Sequence, residues 1–129
     1  MQRKIIIGLV LTLVIAIFIP VYWATEAGRQ EAARERLKTE AVERGAKLYS
    51  STCAICHGSH GEGKIGPALQ GTQLDENALE KTIARGIPGT AMPASGDDEG
   101  GSLRMHEIKD LSAFIKNWDS TLLEELAAE

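Results

Sequence analysis

The sequence predicts an all-α protein: one membrane-spanning helix, a helical stalk and a small helical domain. Three observations lead there. Ile5 to Trp23 runs for 19 residues without a charge. Glu26 to Thr39 consists almost entirely of strong helix formers. Ile108, Leu111, Phe114, Ile115 and Trp118 recur at the spacing of one helix face, and outside the apolar run no stretch reads as a strand.

The apolar run matches a bilayer. At about 1.5 Å per residue it spans the roughly 30 Å hydrocarbon core. Tyr22 and Trp23 stand where interfacial aromatics stand. Pro20 reads as lying near one end, where a missing backbone donor costs less. Arg3 and Lys4 precede the run with no acid beside them, which favours a cytoplasmic N-terminus, although Arg29, Arg34 and Arg36 beyond it weaken the asymmetry. A cleaved secretory leader would share the charged start and the apolar run, but no A-x-A-like pair follows. Residues 1–24 therefore read as an uncleaved signal-anchor in the cell membrane.

Residues 25–42 form the stalk. Glu31–Arg34, Glu35–Lys38 and Glu40–Arg44 are spaced to meet across one helical turn. From Glu26 to Thr39, Leu37 is the one apolar side chain larger than Ala, so this helix does not bury itself in a core. It reads as a solvated spacer or as a helix lying against a partner subunit.

The domain proper covers residues 43–120. A first helix over 41–51 carries Val42, Gly45, Ala46, Leu48 and Tyr49. A helix over 75–85 turns Leu74, Leu79 and Ile83 inward. A last helix extends over 107–122, its first turn reaching back to Ser102 near the N-cap. Residues 121–129 are an acidic tail with Leu122, Leu123 and Leu126.

Composition bounds the chemistry. A chain of 129 residues allows one such domain. Two cysteines cannot build a disulfide scaffold, and they fall short of a four-ligand zinc site unless histidines help. Beyond Trp23, 12 Lys and Arg face 18 Asp and Glu, so the basic footprint of a nucleic-acid binder is absent and no nucleic-acid partner is expected.

The most informative stretch is Cys53-Ala54-Ile55-Cys56-His57. C-x-x-C-H is the attachment signature of c-type haem. Two thiols three residues apart can form thioethers with the two vinyl groups on one side of a porphyrin, and the adjacent histidine can ligate the iron. A thioredoxin-like motif wants a strand before it, whereas here a helical pattern precedes and a Gly-rich loop follows. Zinc would need two more ligands, for which His57 and His60 could be proposed, but the surroundings are not those of a zinc finger. Haem c, one per chain and covalently attached, is the expected cofactor.

A second axial ligand has two methionine candidates beyond Met1. Met92 sits in the loop Gly89-Thr90-Ala91-Met92-Pro93, from which a thioether can reach an iron. Met105 reads as part of the first turn of the last helix. His60 or an open position are the other choices. His60 and His106 otherwise read as loop and surface residues.

With these motifs in order, residues 43–118 resemble a class I cytochrome c, a small all-helical haem protein. The motif Cys53–His57 is followed by Gly58, Gly61 and Gly63, then Gly66-Pro67-Ala68-Leu69, Arg85-Gly86-Ile87, Met92-Pro93 and a final helix ending Phe114-Ile115-Lys116-Asn117-Trp118. The resemblance implies that the Pro67 carbonyl accepts the proton on the far nitrogen of His57, and that the sixth ligand is the Met at the Met-Pro step, Met92. It implies further that first and last helices cross closely at Gly45, with Phe114 and Trp118 as packing residues. The site set is then Cys53, Cys56, His57, Pro67 and Met92, with His57 and Met92 on the metal. A haem with both axial positions filled carries electrons rather than activating oxygen, so an electron-transfer protein and not an enzyme is expected, on the periplasmic or outer side.

Cytochromes of this type occur as subunits of alternative complex III, as oxidase-associated cytochromes and as free tethered shuttles. The expectation is a subunit of a quinol-oxidising or oxidase complex in a bacterial respiratory or photosynthetic chain, with the other subunits, a redox donor and a redox acceptor as partners. The alternatives are a free shuttle, a gas-binding haem sensor, or the electron-input piece of a periplasmic enzyme.

Overall fold

A computed structural model describes residues 1–128, and the last tail residue, Glu129, lies outside the described residues. Helix α1 covers Gln2–Leu48, followed by a π-helical turn at Tyr49–Cys53 and the short α2 at Ala54–His57. Then come α3 at Glu76–Arg85, a 3₁₀ turn at Asp97–Glu99, α4 at Met105–Lys116 and α5 at Ser120–Ala128. No strand occurs among the described residues; a single bridge joins Gly96 and Leu103. The all-α expectation holds. The three helices expected ahead of the C-x-x-C-H motif are one continuous helix, because nothing between Trp23 and Lys47 breaks the run of strong helix formers.

The chain divides into two compact units, Met1–Leu37 and Lys38–Glu129. The first is helix throughout from Gln2. Its apolar run is long and apolar enough to cross a membrane, with none of that window buried in the protein. Pro20 lies inside this helix rather than near its end. Phe18 and Tyr22 stack at 6.3 Å, and Thr25 returns its hydroxyl to the Val21 and Tyr22 carbonyls. On the stalk side, Arg29 pairs with Glu26 at 3.0 Å.

The second unit is held by a close crossing of α1 on α4. Gly45 is the reason they can meet: a Cβ there would stand 2.1 Å from the Asp110 carbonyl oxygen and 2.7 Å from the Phe114 Cβ. Beside the crossing, Arg44 grips the Asp110 carboxylate with two hydrogen bonds, of 2.7 and 3.1 Å. Tyr49, Phe114 and Trp118 then form an aromatic knot with centroid separations of 4.8 to 5.6 Å. Edge-to-face and tilted pairs of this kind add to what area burial alone contributes.

Helix α3 completes the core with Leu79 and Ile83, while Leu74 stays 45% exposed and does not face in. Asp75 caps α3 by accepting the Ala78 N–H at 2.7 Å. The N-cap of α4 is Arg104, not the region of Ser102: the Glu107 carboxylate reaches back to the Arg104 N–H at 2.8 Å. The last helix also stops earlier than its apolar stripe suggests, at Lys116. Asp119 takes the Thr121 N–H at 2.9 Å and opens α5, whose Leu123 is buried against the core with Leu122 and Leu126 packed alongside. The acidic tail is therefore, as far as Ala128, a helix docked on its own domain.

Gly45→Ala should lower unfolding stability by about 1–3 kcal/mol, as overpacked sites do. A urea melt with an unchanged midpoint would refute the close crossing.

Candidate haem site

The site starts where α1 changes pitch. The π-helical turn Tyr49–Cys53 turns Tyr49 into the core and delivers Cys53 to the head of the next turn. Cys53, Cys56 and His57 then share α2 and its approach, and both thiols are free of a disulfide. Burial and the neighbouring Cys56 push the Cys53 thiol up to about 11.

The loop that follows is laced to the back of this turn. Gly63 donates its N–H to the His57 carbonyl at 2.8 Å, while Ile65 and Gly66 both donate to the Cys56 carbonyl, at 2.9 and 2.8 Å. Gly58 and Gly63 hold φ of 89° and 91°, which disfavours any side chain. At Gly66 a Cβ would stand 2.7 Å from the His57 ring. His57 is buried, with Nδ1 2.8 Å from the Pro67 carbonyl oxygen. A carbonyl can only accept, so Nδ1 carries the proton and Nε2 keeps its lone pair for a metal.

The remaining wall comes from residues 87–95. Ser95 donates its N–H to the Ile83 and Ala84 carbonyls, both at 3.1 Å, which pins this segment to the end of α3. Gly86 takes φ of 64°, and a Cβ on it would lie 2.5 Å from the Pro93 carbonyl carbon.

Together these segments enclose a cavity of about 350 Å³, bordered by Cys53, Cys56, His57 and Pro67 and also by Ile87 and Met92. No acidic side chain and no Lys or Arg borders it. Met105 borders a different groove, beside Lys81 and Asp97. His60 and His106 are exposed and border neither. Among the described residues, no three His, Cys, Asp or Glu side chains gather as a metal cluster. The donor set is thus two free thiols, an imidazole with a free Nε2 and one thioether around an uncharged cavity, which fits a covalently held haem.

The comparisons agree with this chemistry. The sequence profile of the family described as "Cytochrome C oxidase, cbb3-type, subunit III" matches residues 40–115. The chain belongs to this family of monohaem class I c-type cytochromes. Members carry covalently attached haem c and transfer electrons, and Cys53, Cys56 and His57 fit their C-x-x-C-H motif. Cytochrome c-551 of Bacillus subtilis (strain 168) is 39% identical over 66 residues, 46% of this chain and 59% of that protein. The crystal structure of cytochrome CL from the marine methylotroph Methylophaga aminisulfidivorans MPT is 31% identical, with a TM-score of 0.51 over 60% of this chain and 53% of that one. The chain thus spans little more than half the length of these relatives.

Two residues of the cytochrome escaped the sequence reading. Tyr49 donates its hydroxyl to the Gly58 carbonyl at 2.6 Å and so ties the haem-motif loop to the core. Glu62 accepts the His60 N–H at 2.8 Å and fills the space beside Gly58. Tyr49 reads as plain core in a helical stripe, and neither residue's partner is visible without the path of the loop.

Burial above all, with the charge of Glu62 nearby, raises the Tyr49 phenol from 10.0 to about 12. A group raised on folding stabilises the fold below its unfolded value and loses that contribution as pH climbs through the folded one. Stability should therefore fall between pH 10.0 and about 12. Urea midpoints taken across that window should decline in the wild type and decline less in Tyr49→Phe. Equal declines in both proteins would exclude Tyr49 as the source.

Proposed function

We propose that this cytochrome is a membrane-tethered one-electron carrier, with haem c bound through thioethers to Cys53 and Cys56 and ligated by His57 and Met92. One observation carries the reading: the C-x-x-C-H turn and the Met92 loop border a single uncharged cavity. When bound, the haem supplies reversible one-electron chemistry between ferrous and ferric iron.

The chain's own residues do the rest. Cys53 and Cys56 hold the group and keep it from dissociating. Pro67 fixes the tautomer of His57 and orients its ring. With haem bound, Met92 would hold the iron together with His57 and keep water and dioxygen from it, and its thioether would favour the reduced state. The uncharged wall acts in the same direction, because it disfavours the extra charge of ferric iron.

The apolar helix supports tethering to a membrane by a single span, with Arg3 and Lys4 favouring a cytoplasmic N-terminus and a haem domain outside. The oxidase-subunit description of the family supports a place within a larger oxidase complex rather than a free shuttle. A tether raises the domain's effective concentration near membrane partners in either case.

Native electrophoresis of gently solubilised membranes, stained for haem, separates the two. Migration only within a large band marks a subunit, and the companion chains in that band identify donor or acceptor. Migration alone marks a shuttle and removes the complex from the reading.

Met92→Ala should lower the reduction potential and let carbon monoxide bind the reduced protein quickly. Fast carbon monoxide binding to the wild type would instead favour a sensor. In Cys53→Ala/Cys56→Ala the covalent links are gone, and a core this small should then fail to fold. A far-UV circular dichroism spectrum with intact helices would contradict that.

A further inference from the structure

The Met92 loop closes on one hydroxyl. Thr90 Oγ1 donates to the Ile87 carbonyl at 2.7 Å and accepts the Met92 N–H at 3.2 Å. The Thr90 N–H joins the same Ile87 carbonyl at 3.1 Å, and the Ile87 N–H returns to the Met92 carbonyl at 3.1 Å. Pro88 and Pro93 bring no N–H of their own, and Gly89 takes φ of 80° with open space around it. The hydroxyl is therefore the side-chain group that joins the two ends of the loop, and Thr90 borders the cavity together with Met92.

We propose that Thr90 is a positioning residue for the axial thioether: its hydroxyl holds the loop in the one shape that presents Met92 to the cavity. The inference rests on Met92 being the sixth ligand. Without the hydroxyl, the Met92 N–H loses its acceptor and the Ile87 carbonyl loses one of two donors. Pro88 and Gly89 then have no side-chain tie to Met92, and the loop samples shapes in which the thioether points elsewhere. The loop is exposed, so water replaces part of what is lost. Loss of one net hydrogen bond corresponds to a roughly five- to tenfold shift of the ligand-on equilibrium.

The test uses the haem-loaded full-length protein and imidazole as a competitor for the sixth position. The readouts are the thioether-to-ferric-iron charge-transfer band and the apparent Kd for imidazole. Thr90→Val should weaken the band and lower that Kd by about five- to tenfold, while Thr90→Ser restores both. The urea midpoint of the haem-loaded protein, followed by far-UV circular dichroism, should move little. A Thr90→Val protein with the wild-type band, and a Kd within about twofold of wild type, overturns the role of Thr90 alone. A wild-type spectrum with no such band, matched by Met92→Ala, overturns the ligand assignment and this inference with it. Should Thr90→Val take up no haem, Thr90→Ala carries the same measurement, since it removes the hydroxyl without a branched side chain.

Discussion

The structure of the haem domain depends on one absence, the missing side chain of Gly45. With no Cβ there, the backbones of α1 and α4 come together, and the Asp110 carbonyl fills the place a methyl group would take. Everything inward follows from that distance. Arg44, the residue before Gly45, can clasp Asp110, and Tyr49, one turn further on, meets Phe114 and Trp118. Most of the buried side chains of a small domain gather around this crossing, with α3 and α5 closing its sides.

The crossing reaches the site through Tyr49. Its ring belongs to the aromatic knot, and its hydroxyl ends on the Gly58 carbonyl, directly after the haem motif. From there the loop is tied by the Cys56 and His57 carbonyls and by Pro67. Trp118 adds a second link, since its ring lies where a Cβ on Gly61 would be, 2.3 Å away. Packing and chemistry are thus joined by a few contacts, and the imidazole is oriented by the same framework that stabilises the fold.

Much of this was legible in the sequence, for physical reasons. C-x-x-C-H is local, so its chemistry can be read without a fold. The stripe from Ile108 to Trp118 shows one helix face by its spacing, and the resemblance to class I cytochromes c adds the close helix crossing at Gly45. Met92 differs from Met105 because a Gly-Thr-Ala-Met-Pro loop lacks helical periodicity, and the structure puts the two methionines in different places. What stayed hidden were boundaries and partners. The end of α4 at Lys116 is set by Asn117, whose side chain bonds back to the Ala113 carbonyl at 2.8 Å, while the apolar pattern runs on into α5. The capping of α4 by Glu107 on Arg104 was missed because Ser102 offers a better-known cap. The docking of Leu123 depends on a turn at Asp119 that no periodicity announces.

The π-helical turn at Tyr49–Cys53 also sets a rule for how this chain can vary. Each residue in a helix rotates the next by about 100°, so one inserted or deleted residue swings everything after it to another face. Between Tyr49 and Cys53 such a change would leave the helix crossing and Tyr49 in place and carry both thiols off the cavity wall. Ahead of Lys38 the chain belongs to the other compact unit. Length is therefore fixed in the turn from Tyr49 to Cys53, where one residue decides whether cofactor attachment and core packing belong to the same fold.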